Sequence, residues 1–177
     1  LEAARAEFAE HGVAGARVDR IADTAGVSKE RIYGHFGNKD ALFSMVLSDA
    51  LAEATATVEA AEDLAISEYV ARKVDFHRAH PDFARLNLWE TLSQETTAAS
   101  DQRTAAYDAK ASSMAEMLGT DETQARYALI LALALSTVEI TLPPIVELIL
   151  GQHYDTDKLR TYLAEACSRA VASPETE

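Results

Sequence analysis

The chain has 177 residues, 48% of them hydrophobic, with a formal net charge of −13, seven glycines, four prolines and one cysteine. That apolar content supports one compact body with a small appendage rather than two large domains, and the scarcity of Gly and Pro excludes the turn-dense layout of an all-β protein. Cys167 stands alone, which excludes an internal disulfide, and the opening Leu1-Glu2-Ala3-Ala4-Arg5 carries neither a basic leader nor an apolar signal core. The expectation is an all-α protein of the cytoplasm.

Along the first 50 residues, Leu1, Ala4 and Phe8 mark a first helix, entered part-way, so a longer natural N-terminus is expected. A glycine joint at His11-Gly12 follows, then Val18, Ile21, Ala22 and Ala25 mark a second helix that Gly26 ends. Ser28 is placed to N-cap a third helix whose inward positions are Ile32 and Phe36. Gly37-Asn38-Lys39-Asp40 is the next joint, and from Leu42 to Ala61 the pattern reads as one longer helix.

Downstream, Ile66, Val70, Val74 and His77 predict a fifth helix stopping near Pro81, and Phe83, Leu86, Trp89 and Leu92 a sixth. Tyr107, Ala111, Met114 and Leu118 predict a seventh, ended by Gly119. Tyr127 to Val138 is almost wholly apolar, so this helix is expected to be buried on several sides. Glu139, Pro143, Pro144 and Glu147 interrupt the run before the ~20 residues a membrane span needs, and Pro143-Pro144 should bend or restart the helix. A last helix, Thr156 to Ala172, carries Leu159, Tyr162, Leu163, Ala166, Ala170 and Val171 on one stripe, and 173–177 reads as a frayed tail.

The net charge of −13 seems to oppose binding to phosphates, but it is unevenly spread. Residues 1–46 hold six Lys or Arg against seven Asp or Glu, a net of −1, which leaves −12 on the remainder. An acidic body would repel DNA and help orient a near-neutral head. Within that head, Val18 to Phe36 has the form of a helix-turn-helix, whose second helix inserts into the major groove. Lys29, Arg31, Tyr33 and His35 are left facing outward by the packing of Ile21, Ala22, Val27, Ile32 and Phe36.

Phe8-Ala9-Glu10-His11-Gly12, Ile21-Ala22, Ala25-Gly26-Val27-Ser28, Ile32-Tyr33-x-His35-Phe36 and Asn38-Lys39-x-Ala41-Leu42 resemble, in order and spacing, the N-terminal domain of TetR-like repressors. The resemblance implies a three-helix DNA-binding domain over 1–46 and a helical effector-binding and dimerisation domain over 47–177. It implies a recognition helix from Lys29 to Phe36, with DNA contacts from Ser28, Lys29, Arg31, Tyr33, Gly34 and His35, and a phosphate clamp at Lys39. Arg31 can offer a bidentate fork to guanine, which makes it the best candidate for direct readout.

Two positions depart from the family pattern. Ala16-Arg17 replaces the Thr or Ser that usually caps the second helix and binds phosphate, so Arg17 is expected to supply that contact by charge. Gly34 stands where a larger side chain is frequent.

The implied partners are a palindromic double-stranded DNA operator, a small-molecule effector of unknown identity that releases a repressor, and a second copy of the chain. The segments Tyr127 to Leu150 and Thr156 to Ala172 are the candidates for the dimer bundle. Pocket candidates are Tyr69, Phe76, Phe83, Trp89, Tyr107, Met114, Met117 and Tyr127, since ligand sites are mostly apolar. Glu90 and Glu139 are carboxylates beside apolar runs, and Glu139 should face water or an arginine across the dimer. His77-x-x-His80 lacks a third metal ligand nearby, and no catalytic order of side chains stands out, so neither metal, cofactor nor enzyme activity is expected. The competing reading is a dimeric small-molecule-binding protein that has lost specific DNA binding.

Overall fold

A computed structural model describes residues 1–58, 64–93 and 100–172. The described residues form helices and connecting turns without strands: α1 (Glu2–Gly15), α2 (Val18–Ala25), α3 (Lys29–Phe36), α4 (Lys39–Val58), α5 (Ile66–Ala79), α6 (Pro81–Ser93), α7 (Ser100–Leu118), α8 (Glu122–Thr141), α9 (Pro143–Leu150) and α10 (Thr156–Ala172). Contacts divide the chain into two compact units, Leu1–Ala56 with His80–Ser100, and Thr57–Ala79 with Asp101–Glu177.

The first unit is built on α1 to α4 and α6. Phe8 is fully buried and meets Phe43 of α4 edge to face, with ring centroids 5.2 Å apart. Ile21 and Ala22 of α2 and Ile32 of α3 are buried, while Val27 and Phe36 are half-buried at the edge of this core. The turn after α2 ends as the sequence suggests. Gly26 takes the left-handed conformation (φ 66°, ψ 33°), and the Val27 N–H donates to the Ala22 carbonyl at 3.1 Å, closing the helix end. α4 starts under the Asn38 side chain, whose Oδ1 accepts from the Ala41 N–H at 2.7 Å.

α1 is not continuous. Gly12 has φ 65° and ψ 179°, a combination essentially restricted to glycine, and it breaks the helix into two arms. The indole of Trp89, from α6, lies against Gly12, and its Nε1–H donates to the Ala9 carbonyl at 3.2 Å. The break thus leaves room for the ring, and the ring satisfies a carbonyl at the break.

The second unit packs α5 against α8 and α10, and α8 against α10. Its core joins Ile66, Val70 and Val74 of α5, Met114 of α7, Ala125, Ala128 and Ala132 of α8, and Leu163, Ala164 and Cys167 of α10. Burial in apolar surroundings pushes the Cys167 thiol above its usual range. Two ion pairs tie the helices at their edges: Arg160 holds Asp75 by two hydrogen bonds of 2.7 and 2.6 Å, and Arg78 holds Glu139. Glu139, 9% exposed, also accepts from the Tyr154 hydroxyl at 3.0 Å, and Arg78 donates to the Thr156 carbonyl. Its partners are therefore an arginine and a tyrosine of its own chain. Burial and the bond to Glu139 both raise the Tyr154 hydroxyl above its ordinary pKa.

The apolar stretch of α8 corrects one sequence expectation. Only the narrow stripe Ala125, Ala128, Ala132 and Ser136 is buried; Tyr127, Ile130 and Leu133 are exposed. Small residues let α8 lie close to its neighbours on one face, and the opposite apolar face is left exposed among the described residues. Pro143 begins α9 after a bend of 84°, as the proline pair demands, and α9 leaves Leu148 and Ile149 largely exposed. No single helix among the described residues is long and apolar enough to cross a membrane.

Candidate DNA-binding site

α3 is fixed by few contacts, each with a clear sequence origin. Ser28 is its N-cap (φ −79°, ψ 151°), and Oγ accepts from the Arg31 N–H at 3.2 Å. Ile32 anchors the helix to the head core, which turns Arg31, Tyr33, Gly34 and His35 to solvent. His35 rests edge-on against Phe36 at 4.6 Å, so its imidazole is held at the surface rather than buried.

The lysines are less available. Lys29 binds Asp19 of α2 at 2.8 Å and lies over the Tyr33 ring at 5.9 Å. The Asp19 bond raises the Lys29 ammonium against desolvation and lowers the Asp19 carboxyl. Lys39 points back at the end of α1, donating to the Ala14 and Ala16 carbonyls at 3.5 and 3.4 Å. Carbonyls at a helix C-terminus favour a cation there.

Glu7 braces the start of α2 without replacing the cap that the Ala16-Arg17 substitution removes. Arg17 occupies the N-cap of α2 without a side-chain cap, and its backbone N–H instead donates to Glu7 Oε1 at 2.7 Å. The same carboxylate takes the Arg20 guanidinium at 2.6–3.0 Å, and Arg20 also reaches the Gly15 carbonyl at 3.3 Å. Arg20, and after it the Arg17 N–H, hold the Glu7 carboxyl below the usual range against desolvation. The Arg17 side chain itself stays exposed.

Of the eight sequence-predicted DNA residues, the structure therefore brings Arg31, Tyr33, Gly34 and His35 onto the open surface of one short helix. Arg17 is exposed at the start of α2. Ser28 serves as a cap, and Lys29 and Lys39 are engaged within the head. The sequence reading missed Glu7 and Asp19. The signal for Glu7 was an acid beside Phe8 in the first helix, with a cap missing at the start of the second.

Of the eight aromatic and methionine residues proposed for a ligand pocket, Met117 and Tyr127 line one cleft and the others do not join them there. Phe83 and Trp89 belong to the first unit, and Trp89 is engaged on α1. In the second, Phe76 and Met114 are buried, Tyr69 is half-buried against the core, and Tyr107 and Tyr127 are exposed. Tyr69 and Tyr107 each lie under a lysine, Lys73 and Lys110. A cleft of about 660 Å³ opens among the ends of α5, α7, α8 and α10, lined by Ile66, Met117, Gln124, Tyr127, Leu131 and Val171. His77 is buried at the end of α5, and Glu90 is buried in α6. No group of three or more His, Cys, Asp or Glu able to hold a metal occurs among the described residues.

Two family models match the chain. Residues 1–46 match the model of bacterial regulatory proteins of the tetR family, and residues 65–169 match a tetracyclin repressor-like C-terminal domain. The chain is 34% identical over 178 residues to the HTH-type transcriptional repressor SCO4008 of Streptomyces coelicolor, covering 97% of this chain and 92% of that protein. It is 37% identical over 98 residues to the HTH-type transcriptional regulator RutR of Escherichia coli K12, a match spanning 52% of this chain and 46% of RutR. Among solved structures, the transcriptional regulator SCO4942 of Streptomyces coelicolor superimposes with a TM-score of 0.74 at 31% identity, covering 96% of this chain and 94% of that one. The fatty acid degradation regulator FadR of Bacillus halodurans shares the fold at 16% identity, with a TM-score of 0.67 over 99% of this chain and 97% of its own.

Proposed function

The chain belongs to the TetR family of bacterial transcriptional regulators, and from that premise we propose that it is a ligand-responsive repressor that binds a palindromic operator as a homodimer. The observation that carries the proposal is α3: a capped helix, anchored by Ile32, that presents Arg31, Tyr33, Gly34 and His35 together to solvent. Arg31 reads a base edge, most suitably the O6 and N7 of guanine, while Tyr33 and His35 donate to phosphate oxygens. Arg17, exposed at the start of α2, adds a phosphate contact, and Lys39 leaves the α1 carbonyls for phosphate when DNA is bound.

Dimerisation places two such helices about 34–36 Å apart, one turn of the duplex. The exposed apolar residues Tyr127, Ile130, Leu148, Ile149 and Tyr162 of α8 to α10 support that partnership, since an apolar surface of this kind on one chain calls for a cover. The effector enters the second unit, with the cleft around Met117, Tyr127 and Leu131 as its site. Its binding favours a dimer whose heads no longer match the operator spacing, so effector and operator affinities are reciprocally coupled.

The test is recovery of genomic fragments bound by the purified chain, followed by titration of the recovered duplex. Wild-type protein should bind with a strong salt dependence, and Arg31→Ala should lose discrimination at a single base pair, about 1–3 kcal/mol. Failure to capture any fragment over background would favour the competing reading, a small-molecule-binding dimer without DNA function. One motive for that reading, the lost cap of α2, stands: Arg17 makes no side-chain cap bond, and Glu7 braces only the Arg17 N–H.

A further inference from the structure

The contacts of the head converge on an element that does not itself face DNA, the arm of α1 beyond Gly12. Its carbonyls are the anchor points for two other helices. Lys39, the first residue of α4, donates to the Ala14 and Ala16 carbonyls just before and just after the arm's end. Arg20 of α2 donates to the Gly15 carbonyl while Glu7, from the other arm, holds both Arg20 and the N–H of Arg17, the N-cap of α2. The direction of this arm therefore sets where α2 and α4 sit, and α3 lies in the chain between them. What sets the arm's direction is the break at Gly12, and the break is held by Trp89.

We propose that Trp89 is a positioning residue for DNA reading: its indole against Gly12 and its Nε1–H on the Ala9 carbonyl fix the bend of α1, and through it the pose of the recognition helix. Three observations carry this. Gly12 has a backbone conformation that only glycine adopts readily, at φ 65° and ψ 179°, so the bend of α1 lies at this residue. The contact is so close that a methyl group on Gly12 would stand 2.7 Å from the ring. The hydrogen bond at 3.2 Å is directional and ends on the first arm, whereas the ring covers the break itself, so one side chain grips both sides of the bend. α6 is consequently part of the DNA-binding unit. The proposal rests on the DNA-reading function above for its consequence but not for its geometry.

The experiment compares the full wild-type chain with Trp89→Phe, which keeps an aromatic ring and removes the donor, and with Trp89→Ala. Hydrogen exchange is followed in peptides covering 13–20 and 43–50, and binding is titrated on the genomic duplex recovered with wild-type protein, each sample normalised to its active fraction. In Trp89→Phe, exchange over 13–20 should quicken about threefold to tenfold, the yield of one net hydrogen bond, while 43–50 keeps its wild-type protection. DNA affinity should fall by a similar factor at unchanged active fraction.

Trp89→Ala should enlarge both effects; if it does not fold, Trp89→Phe decides alone. Wild-type exchange over 13–20 in Trp89→Phe overturns the proposal, as does quickened exchange with undiminished DNA affinity. Equal quickening over 13–20 and 43–50 also overturns it, because it would make Trp89 a general core residue. If wild-type protein recovers no duplex, the repressor reading is what fails, and the exchange pattern still decides whether Trp89 holds the bend.

Discussion

Two Gly→Ala substitutions in the same small unit should have opposite signs. In Gly12→Ala, the new methyl group meets two penalties. The backbone at φ 65° and ψ 179° lies in a region that only glycine occupies readily, at a cost of about 1–3 kcal/mol to other residues. The methyl carbon would also lie 2.7 Å from two atoms of the Trp89 ring, and forcing extra volume into packed surroundings costs roughly another 1–3 kcal/mol. Even the sum of the lower bounds is about 2 kcal/mol, and for a unit of this size each kcal/mol moves the midpoint about 4–8 °C. Gly34 has no atom within 4 Å of the same position and no left-handed φ, so Gly34→Ala should gain up to ~1 kcal/mol from helix propensity alone. Trp89 is the protein's one tryptophan and sits in the head, so thermal unfolding followed by its fluorescence reports that unit directly. Gly12→Ala should melt at least ~8 °C below wild type and Gly34→Ala a few degrees above it. A Gly12→Ala midpoint within ~2 °C of wild type would refute the bend and its clasp as described.

The Glu7 carboxyl is lowered in the fold chiefly by its bond to Arg20, so its stabilisation is fully present above its unfolded pKa of about 4.3 and is lost as pH falls through the lower folded value. Acid titration of the head should lose part of its steepness below about pH 4 in Glu7→Gln, and an unchanged profile would remove Glu7 from the account. Arg78→Ala leaves the half-buried Glu139 with the Tyr154 hydroxyl, and should cost about 2–4 kcal/mol in urea unfolding, less than a deeply buried pair because Arg78 is 25% exposed. The double change Arg78→Met with Glu139→Leu should cost clearly less than Arg78→Ala; equal costs would mean that the charge pair is not what matters. Leu148→Lys with Ile149→Lys, on the most exposed apolar turn of α9, should convert a dimer to a monomer in sedimentation, and an unaffected dimer would move the interface off α9.

Helix order was legible because each helix carries its own punctuation. Gly26, Ser28, Asn38, Gly119 and the proline pair each stop or start a helix by a local backbone preference, and the structure uses all of them at those places. Partnerships were not legible, because they depend on which faces meet. The apolar run of α8 reads as a helix buried on several sides, yet its own chain fully buries only a small-residue stripe and leaves Leu129, Leu131, Leu135 and Val138 partly covered. Periodicity reports how apolar a face is but not whether its cover comes from the same chain. Trp89 shows the same limit: large and aromatic, it fits a pocket by composition, and only the bend at Gly12, about 77 residues away in sequence, reveals its place.

The charge pattern also looks different once the partners are known. A head with six basic residues and a net charge of −1 suggests a weakly cationic surface diluted by acids. In the fold, two of those acids, Glu7 and Asp19, together with Glu53 and Asp82 from beyond residue 46, are paired with cations of the head. Arg5 is held by Glu53 and Asp82, Arg20 by Glu7 and Lys29 by Asp19, while Lys39 lies on carbonyls. These four build the head, which leaves the side chains of Arg17 and Arg31 exposed beside the outward face of α3. On the proposed repressor reading, these two cations supply charge at the start of α2 and on α3, and the acidic remainder of the chain would repel the duplex elsewhere. Affinity built this way depends on geometry more than on total charge, which is why the bend of α1 matters to a function that α1 does not itself perform.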